Sequence, residues 1–313
     1  MKNLDKKFLG RLMDIYWEIK TSEILDAFSI IRPTTFRINT LKSDEQSVEE
    51  ELNNLNIQFE KIKEIPFWIQ VNKDYEYRLK WSDIFYSWKI YLQSISSMLP
   101  AIALAPDSWD TVLDMTAAPW WKTTQMAAMM RNIWEIIAIE INQIRFDKLN
   151  YNTKLQWATC IKSIKADAKN LSNITSWKKY DKILLDAPCS AEWRINLNNE
   201  KSYWFWSEEN IIAKQKLQLD LARTAVSLLN QNWALLYSTC TLAPEENEWV
   251  ISKLLEEFSF LSLEDIHIDM SEMINWLDVF KWITFDKNIS KTKRILPSSR
   301  TEGFYMAKLV YNK

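Results

Sequence analysis

Short apolar runs alternate with amphipathic segments of helical length over the last two thirds of the chain. This alternation is typical of a parallel sheet covered by helices on both faces. The pattern predicts strands at 110–115, 135–141, 161–167, 181–188 and 234–240, and a last strand within 302–312. It predicts helices over 121–132, 143–156, 208–229 and 245–257. We therefore expect a doubly wound, mostly parallel α/β sheet.

The first 95 or so residues follow a different pattern. A helical stretch (4–28) precedes a strand-like segment (34–42). Ser43 and Gln46 have the spacing of a capping box, which predicts the start of a helix. Segments with alternating polarity follow at 57–65 and 67–72. The pattern predicts a small N-terminal α+β accessory domain, residues 1–97, followed by a catalytic domain, residues 98–313.

Composition describes a globular protein with enough apolar content for a large core. The 313 residues are 47% hydrophobic, and the formal net charge of −2 provides no global basic field for nucleic acid, although a local groove could still bind one. No apolar run reaches membrane-spanning length, and the N-terminus lacks a signal-peptide pattern. We expect a cytoplasmic protein with no membrane partner. The sequence predicts no oligomeric state.

Glycine is nearly absent and tryptophan is abundant. The chain has 2 glycines and 17 tryptophans, whereas average usage predicts about 22 glycines. Several tryptophans stand in predicted turns, where glycine, asparagine, aspartate or proline is usual: Trp109, Trp134, Trp157 and Trp233 near strand starts, and Trp120 and Trp121 after the first parallel strand. Ordinary surface aromatics would leave the missing glycines unexplained. We hypothesise that most of these residues are glycine in the native protein, encoded by UGA and translated here as tryptophan.

Candidate chemistry lies at the strand ends, because ligands of open parallel sheets bind beyond the carboxyl ends of the strands. Glu140 follows Asp114 by 26 residues and suits the ribose hydroxyls of a nucleoside. Asp167 could accept a hydrogen bond from an adenine amino group. Cys189 and Cys240 are thiols suited to attack on an electron-poor ring carbon. Each acid alone is more typical of a helix cap or a solvated loop residue, and only their repeated placement favours function. Carboxylates end four of the five strands: Asp114, Glu140, Asp167 and Asp186.

Other classes of site fit the sequence poorly. A phosphatase loop needs arginine six residues after its cysteine, but Ile195 and Glu246 stand there. His267 is the only histidine, so Ser-His-Asp hydrolysis and histidine-rich metal sites are disfavoured. Cys160 has no acid or Pro-Cys motif beside it and is interpreted as an inert thiol. The cysteines form no C-x-x-C pair, so no metal and no disulfide framework are expected. No G-x-G-x-x-G motif stands in the first loop, which disfavours a dinucleotide oxidoreductase.

Three long motifs, in order, resemble those of the S-adenosylmethionine-dependent RNA cytosine-5 methyltransferases of the Sun/Fmu type, which include ribosomal RNA methyltransferase B and tRNA-modifying relatives. The motif D-x-x-A-A-P-G-G-K-T corresponds to 114–123, D-A-P-C-S to 186–190, and Y-S-T-C-x-x-x-x-E-E-N-E to 237–248. The resemblance runs from about residue 30 to the C-terminus. Further matches are 36–42, 91–97, Gln218 and "EGFYMAKL".

The resemblance also bears on the tryptophans. The family commonly or always has glycine at Trp88, Trp109, Trp120, Trp121, Trp134, Trp157, Trp193, Trp233 and Trp249. Gly303 matches a family glycine directly, whereas Trp206 looks like a genuine tryptophan position. If Trp120 and Trp121 are real, their indoles are expected to occupy the space of the cofactor's methionine end and to weaken its binding.

The resemblance implies a class I, Rossmann-like methyltransferase that uses S-adenosyl-L-methionine. It implies that Cys240 adds to carbon 6 of cytosine, that Cys189 assists release of the adduct, and that Asp186 holds the ring-nitrogen edge. The implied substrate is an unstacked cytosine in RNA, with rRNA favoured over tRNA, and Arg37 and Lys42 are expected in the RNA groove. The implied cofactor-binding residues are Thr116, Ala117, Ala118, Pro119, Trp120, Trp121, Lys122, Glu140, Asp167 and Asp186.

Two rival functions stay open at this point. One is a ribosome-assembly factor of the same fold that binds RNA without turnover, which the intact cysteine pair disfavours. The other is a DNA cytosine-5 methyltransferase, which the Tyr-Ser-Thr-Cys motif disfavours because DNA enzymes use the Pro-Cys thiol as nucleophile.

Overall fold

A computed structural model describes residues 5–174, 178–275, 277, 279–281, 283–285 and 287–312, with the side chains of Trp193 and Asn275 outside the description. The helices of the described chain are α1 (Lys6–Ala27), α2 (Glu45–Asn54), α3 (Glu76–Lys80), α4 (Asp83–Tyr86), α5 (Ile95–Leu104), α6 (Trp121–Met129), α7 (Gln143–Leu155), α8 (Leu171–Ile174), α9 (Glu208–Leu228) and α10 (Glu248–Glu257). The strands are β1 (Thr34–Ile38), β2 (Phe59–Lys61), β3 (Trp68–Val71), β4 (Ile90–Leu92), β5 (Thr111–Asp114), β6 (Glu135–Glu140), β7 (Ile161–Lys165), β8 (Tyr180–Asp186), β9 (Leu229–Thr239), β10 (Leu261–Glu264), β11 (Met273–Asn275), β12 (Val279–Phe280), β13 (Ile283–Thr284), β14 (Lys293–Ile295) and β15 (Phe304–Tyr311).

A nine-stranded sheet forms the centre of the molecule, in the order β11-β14-β15-β9-β8-β5-β6-β7, with β10 paired to β15. Its five strands β5 to β9 are mutually parallel, and Leu113 of β5 pairs with Ile137 on one side and Ile183 on the other. Strand β15 lies antiparallel to β9. The predicted doubly wound α/β fold is confirmed, and the central strands are apolar because helices cover both faces.

The predicted elements differ from the observed ones mainly at their ends. Strand β9 begins at Leu229, five residues before the predicted start, because α9 passes directly into it. Helix α2 is capped by Asp44, whose Oδ1 accepts a hydrogen bond from the backbone N of Ser47 at 2.8 Å. The predicted Ser43–Gln46 capping box is therefore wrong by one residue, since the carboxylate of Asp44 occupies the capping position.

The small antiparallel sheet contains residues 34–92, in the order β2-β3-β1-β4. Its core is built around Phe36, Ile38, Val48, Leu52 and Ile69. Helix α1 precedes this sheet in the chain but packs elsewhere, in the same apolar cluster as the large sheet and its helices. The division into accessory residues 1–97 and catalytic residues 98–313 stays a prediction.

Buried ion pairs attach α1 to the large sheet. Arg11 forms a salt bridge to Glu245, with Nη2 and Oε2 2.7 Å apart. Arg294 pairs with Glu248 in full burial and also donates from Nη1 to the Tyr16 hydroxyl at 2.7 Å. Helix α1 is thereby joined to the segment that follows Cys240.

Five tryptophans of the described chain have a left-handed backbone. They are among thirteen non-glycine residues with positive φ: Trp17, Trp88, Trp120, Trp134 and Trp157. The left-handed region costs an L-residue roughly 1–2 kcal/mol, but costs glycine nothing. The backbone thus supports the glycine hypothesis at these positions. Trp193 has no described side chain, and Trp109, Trp121, Trp233 and Trp249 do not have positive φ.

The described residues contain neither a membrane-spanning helix nor a cluster of metal-ligating side chains. No helix in these ranges is long and apolar enough to cross a bilayer. In the same ranges, no group of three or more histidine, cysteine, aspartate or glutamate side chains is arranged to hold a metal ion.

Candidate active site

The last residues of the parallel strands lie at one edge of the sheet. Asp114 ends β5, Glu140 ends β6, Asp186 ends β8, and Cys240 follows the last residue of β9. Asp167 stands two residues beyond β7, where its side chain caps a short turn by accepting from the Lys169 backbone N. Parallel topology explains why residues up to 126 positions apart meet here.

Two cavities open at this edge and share Asp186 and Cys240. The larger cavity has a volume of about 620 Å³. Six of the predicted cofactor-binding residues line it: Thr116, Ala118, Pro119, Glu140, Asp167 and Asp186. Cys189 also lines it, so both thiols face this space.

The other four predicted cofactor-binding residues do not line the larger cavity. Ala117 is buried and donates its backbone N–H to the carbonyl of Ile139 at 2.9 Å. Trp120 packs with Ala117 against α7, and Trp121 and Lys122 line the smaller cavity. The expected obstruction of the cofactor by the two indoles stays a prediction.

Asp186 lies at the junction of the two cavities with both carboxylate oxygens engaged. Lys122 Nζ is 2.6 Å from Oδ2. The Ser238 hydroxyl donates to Oδ1 at 2.9 Å, and the Thr116 hydroxyl donates to the Asp186 backbone carbonyl at 2.8 Å. These contacts fix the orientation of the carboxylate.

Asp114 organises the loop between β5 and α6. Its Oδ2 accepts from the Thr123 hydroxyl at 2.7 Å, and its Oδ1 accepts from the Thr116 backbone N at 3.3 Å. Burial raises the pKa of Asp114 to about 6. It does not line either cavity, so its contacts shape the loop that does.

The thiols of Cys189 and Cys240 are in direct contact, with 2.9 Å between the Sγ atoms. The hydrogen bond to Cys189, together with burial, raises the pKa of Cys240 well above its ordinary value. Lys122 acts in the opposite direction, because its positive charge favours a Cys240 thiolate. Cys160 lines neither cavity, and burial raises its pKa to about 11.

Glu192 connects the two cysteine-bearing loops and was missed by the sequence analysis. Its Oε2 accepts from the Thr241 hydroxyl at 2.9 Å and from the Leu242 backbone N at 2.8 Å. Its Oε1 accepts from the Trp206 indole N–H at 2.8 Å. This bond gives Trp206 a role that glycine could not fill. No local pattern marks Glu192, because its partners are distant in sequence.

Glu246 makes a second connection between the same loops. Its Oε2 accepts from the Ser190 backbone N at 3.0 Å and from Gln218 Nε2 at 2.7 Å. The same Gln218 nitrogen donates to the Pro188 carbonyl at 3.0 Å. Burial raises the pKa of Glu246 to about 7. Its place in the E-E-N-E motif was the signal for this role.

The smaller cavity, about 250 Å³, lies between the small sheet and β15. Besides Asp186 and Cys240, its walls come from the end of β4 through the first turn of α5, from the start of α6 and from residues at the start of β15: Leu92, Gln93, Ser94, Ser96, Ser97, Trp121, Lys122, Glu302 and Phe304. Glu302 and Phe304 were not predicted as site residues, although they belong to the matching stretch "EGFYMAKL".

Arg37 does not contribute to a surface groove, so that prediction is wrong. The guanidinium is 2% exposed and donates to Gln93, Thr124 and Gln156, at 3.2, 2.7 and 2.7 Å. Burial lowers its pKa to about 10. Lys42 donates to two backbone carbonyls, those of Ser87 and Leu155. Both cations connect the N-terminal part of the chain to helices beside the large sheet, Arg37 to α6 and to Gln156, and Lys42 to the end of α7.

The parallel sheet, with a nucleoside-sized cavity at its carboxyl edge and an antiparallel strand beside β9, defines a Rossmann-like methyltransferase. The family model described as 16S rRNA methyltransferase RsmB/F matches residues 101–310, and the chain belongs to this family.

The chain is similar over nearly its full length to the tRNA (cytosine(49)-C(5))-methyltransferase of Pyrococcus abyssi, with 32% identity over 97% of this chain and 96% of that protein. It is 28% identical to the human 28S rRNA (cytosine(4447)-C(5))-methyltransferase, over 96% of this chain and 37% of the human protein. The Ribosomal RNA small subunit methyltransferase F of Shewanella loihica is 34% identical over 70% of this chain and 45% of its own length. The chain thus spans less than half of two of these relatives.

Solved structures share the fold. A methyltransferase homolog protein from Pyrococcus horikoshii superposes with a TM-score of 0.87 and 28% identity, over 98% of this chain and 95% of that one. NSun6 from the same organism, solved with SFG, superposes with a TM-score of 0.84 and 22% identity, over 98% of each chain. The second likeness concerns the fold alone.

Proposed function

We propose that this protein transfers a methyl group from S-adenosyl-L-methionine to carbon 5 of a cytosine in RNA. The observation that carries the proposal is the position of Cys240, which borders both cavities and touches a second thiol at 2.9 Å. A nucleophile between a cofactor-sized cavity and a base-sized cavity is what this transfer requires.

The residues around the larger cavity fit the proposed cofactor. Glu140 and Asp167 present carboxylates suited to ribose hydroxyls and to an adenine amino group, and Thr116, Ala118, Pro119 and Asp186 are expected to complete the site. When bound, the cofactor supplies an electrophilic methyl group. The small side chains of the loop let backbone approach the ligand closely.

In the proposed mechanism Cys240 gives its proton to the carboxylate of Asp186, and Lys122 stabilises the resulting thiolate. The sulfur bonds to carbon 6 of the cytosine, and the ring electrons move so that carbon 5 becomes nucleophilic. Asp186, oriented by Lys122 and Ser238, holds the ring-nitrogen edge and passes the proton to N3, so that no negative charge builds up on the ring. After methyl transfer carbon 5 loses its proton to water, and the carbon–sulfur bond breaks as electrons return to Cys240, which recovers its proton from N3 through Asp186. The resemblance assigns assistance in this last step to Cys189.

We favour rRNA as the substrate class, with tRNA as the second candidate. The family description names 16S rRNA, and the compared relatives include enzymes named for 28S rRNA and for tRNA. The target cytosine must leave its stack to enter the smaller cavity, so a loop or single-stranded segment is the expected setting. We propose a cytoplasmic location for the protein.

The test is methyl transfer to unmodified transcripts of 16S rRNA and of tRNAs and to DNA of the same sequences, followed by bisulfite sequencing to map the cytosine. Equilibrium binding of the RNAs is measured alongside. The full chain and its form with glycine at 120 and 121 are run in parallel. We expect one or a few cytosines to be methylated, with activity lost in Cys240→Ala and kept in the matched control Cys160→Ala. RNA binding without methylation by either form indicates an assembly factor, and methylation of DNA alone indicates the DNA enzyme; both results contradict the proposal.

A further inference from the structure

The smaller cavity has two carboxylates in its wall, Asp186 and Glu302, and they differ in their hydrogen bonding. Both oxygens of Asp186 are already engaged by Lys122 and Ser238. Glu302 Oε2 is buried and accepts no hydrogen bond from any residue in the described ranges. A buried carboxylate oxygen without a donor is costly. Rotation of the Glu302 side chain toward a ligand that brings a donor removes that cost.

The amide side chain in the described cavity wall, that of Gln93, already makes hydrogen bonds to other residues. Gln93 accepts from Arg37 through Oε1 and donates through Nε2 to the Ser97 carbonyl and to Gln125 Oε1. Lys122 carries only hydrogen-bond donors, so it cannot accept a hydrogen bond from a ligand. Among the carboxylate and amide side chains of the described wall, Glu302 is therefore the acceptor best able to take a new hydrogen bond.

The backbone of Glu302 is fixed relative to the cavity. Its N–H donates to the Ser96 hydroxyl oxygen at 3.1 Å, and that hydroxyl donates to the Glu302 carbonyl at 2.8 Å. A Cβ added at Gly303 would come within 2.9 Å of a Leu242 methyl, so the next residue is also closely packed. The side chain of Glu302 thus projects from a well-anchored position.

We infer that Glu302 determines the specificity for cytosine over uracil by accepting a hydrogen bond from the exocyclic amino group of the target base. This inference rests on the proposed function. Cytosine carries an amino donor at ring position 4, where uracil carries a carbonyl acceptor. A carboxylate attracts the first and repels the second. Sites that hydrogen-bond a donor discriminate strongly against analogues that lack it, because their own polar groups are then left unpaired.

The test compares two transcripts that differ only at the mapped position, one with cytosine and one with uracil. We expect Glu302→Gln to lower kcat/KM for the cytosine transcript at least tenfold and to reduce the cytosine-to-uracil ratio at least a hundredfold, because an amide can also donate to the uracil carbonyl. Glu302→Asp retains a carboxylate and should recover part of the ratio. The matched control is Glu264→Gln, a half-exposed glutamate on β10 that pairs with Lys308.

Binding of S-adenosylmethionine provides a second measurement, since Glu302 does not line the larger cavity. We expect its Kd in Glu302→Gln to stay within twofold of the parent. An unchanged cytosine-to-uracil ratio overturns the inference and leaves the proposed function intact. Joint loss of activity, cofactor binding and thermal stability in both Glu302 variants also overturns it, since that indicates a structural role. If the parent chain methylates neither transcript, with or without glycine at 120 and 121, that result contradicts the proposed function instead.

Discussion

At the scale of single residues, Trp17 shows most clearly that tryptophan is the wrong side chain for its backbone. Its φ of 59° and ψ of 175° lie in a region that is essentially reserved for glycine, inside α1 at a kink. The indole is 82% exposed, so burial provides little compensation. Strain of this kind costs roughly 1–3 kcal/mol.

We therefore expect Trp17→Gly to raise the free energy of unfolding by about 1 kcal/mol, as measured by urea denaturation. The matched control is Trp204→Gly, because Trp204 is 77% exposed, does not have positive φ and is not one of the family glycine positions named above. Glycine there should be neutral or destabilising by up to about 1 kcal/mol. Destabilisation by Trp17→Gly would contradict the glycine hypothesis at this position.

Trp121 lies at the smaller cavity, which we propose for the target base, rather than at the larger cavity proposed for the cofactor. It lines the 250 Å³ space together with Lys122 and Cys240, and it is not part of the larger lining. We expect Trp121→Gly to increase the rate of RNA methylation at least tenfold while changing the Kd for S-adenosylmethionine less than threefold. Rates measured with saturating cofactor and equilibrium binding separate the two effects. A large gain in cofactor affinity with an unchanged rate would show that the indole obstructs the cofactor instead.

At the scale of elements, the loops that follow β8 and β9 are held together by buried carboxyl groups. Glu246 has a folded-state pKa of about 7, above its ordinary value of 4.5, because it is buried. Below pH 4.5 the group is protonated in both states. As the pH rises from 4.5 to 7 the unfolded chain releases this proton first, so the stability contributed by the protonated group is progressively lost.

Glu246→Gln removes this pH dependence, and we expect its stability to fall less than that of the parent across that interval. The difference between the two curves should be of the order of 2–3 kcal/mol. Urea unfolding at several pH values between 4 and 8 measures it. Parallel curves would mean that Glu246 is not protonated in the folded protein at neutral pH.

The central elements were predictable because their signal is local. Strand β6 is a buried apolar run ended by a carboxylate, and such a run in a parallel sheet needs no tertiary information to recognise. Strands β11 and β14 have three residues each, too few for a periodicity to appear. Strand β14 is placed by its pairing with β15, and β11 by its pairing with β14, and the sequence does not display these pairings.

The candidate site was predictable to a similar extent. Asp186, Cys189 and Cys240 belong to recognisable motifs, and the structure brings them together. Arg37 was misassigned because an arginine in a polar-looking strand is normally exposed. Its burial depends on acceptors supplied by α6 and by Gln156, which are distant in sequence. Glu302 was not predicted either. Its proposed role depends on a carboxylate oxygen that has no hydrogen-bond donor among the described residues, and the sequence does not display this.

At the scale of the whole molecule, catalysis is expected to require the two sheets together. The large sheet supplies the thiols and the larger cavity, while β4 and the segment leading into α5 form one wall of the smaller cavity. Helix α1 joins the segment after Cys240 through Arg11 and Tyr16. The cavity proposed for the target base is thus enclosed by parts of the chain that are far apart in sequence.

The central claim is that Cys240 forms the covalent bond to cytosine and Cys189 helps to release it. The most direct test is a denaturing gel of each variant incubated with S-adenosylmethionine and the mapped RNA, using the chain with and without glycine at 120 and 121. We predict that Cys189→Ala accumulates a covalent protein–RNA complex, whereas Cys240→Ala forms none. A complex formed by Cys240→Ala and lost in Cys189→Ala would contradict this account.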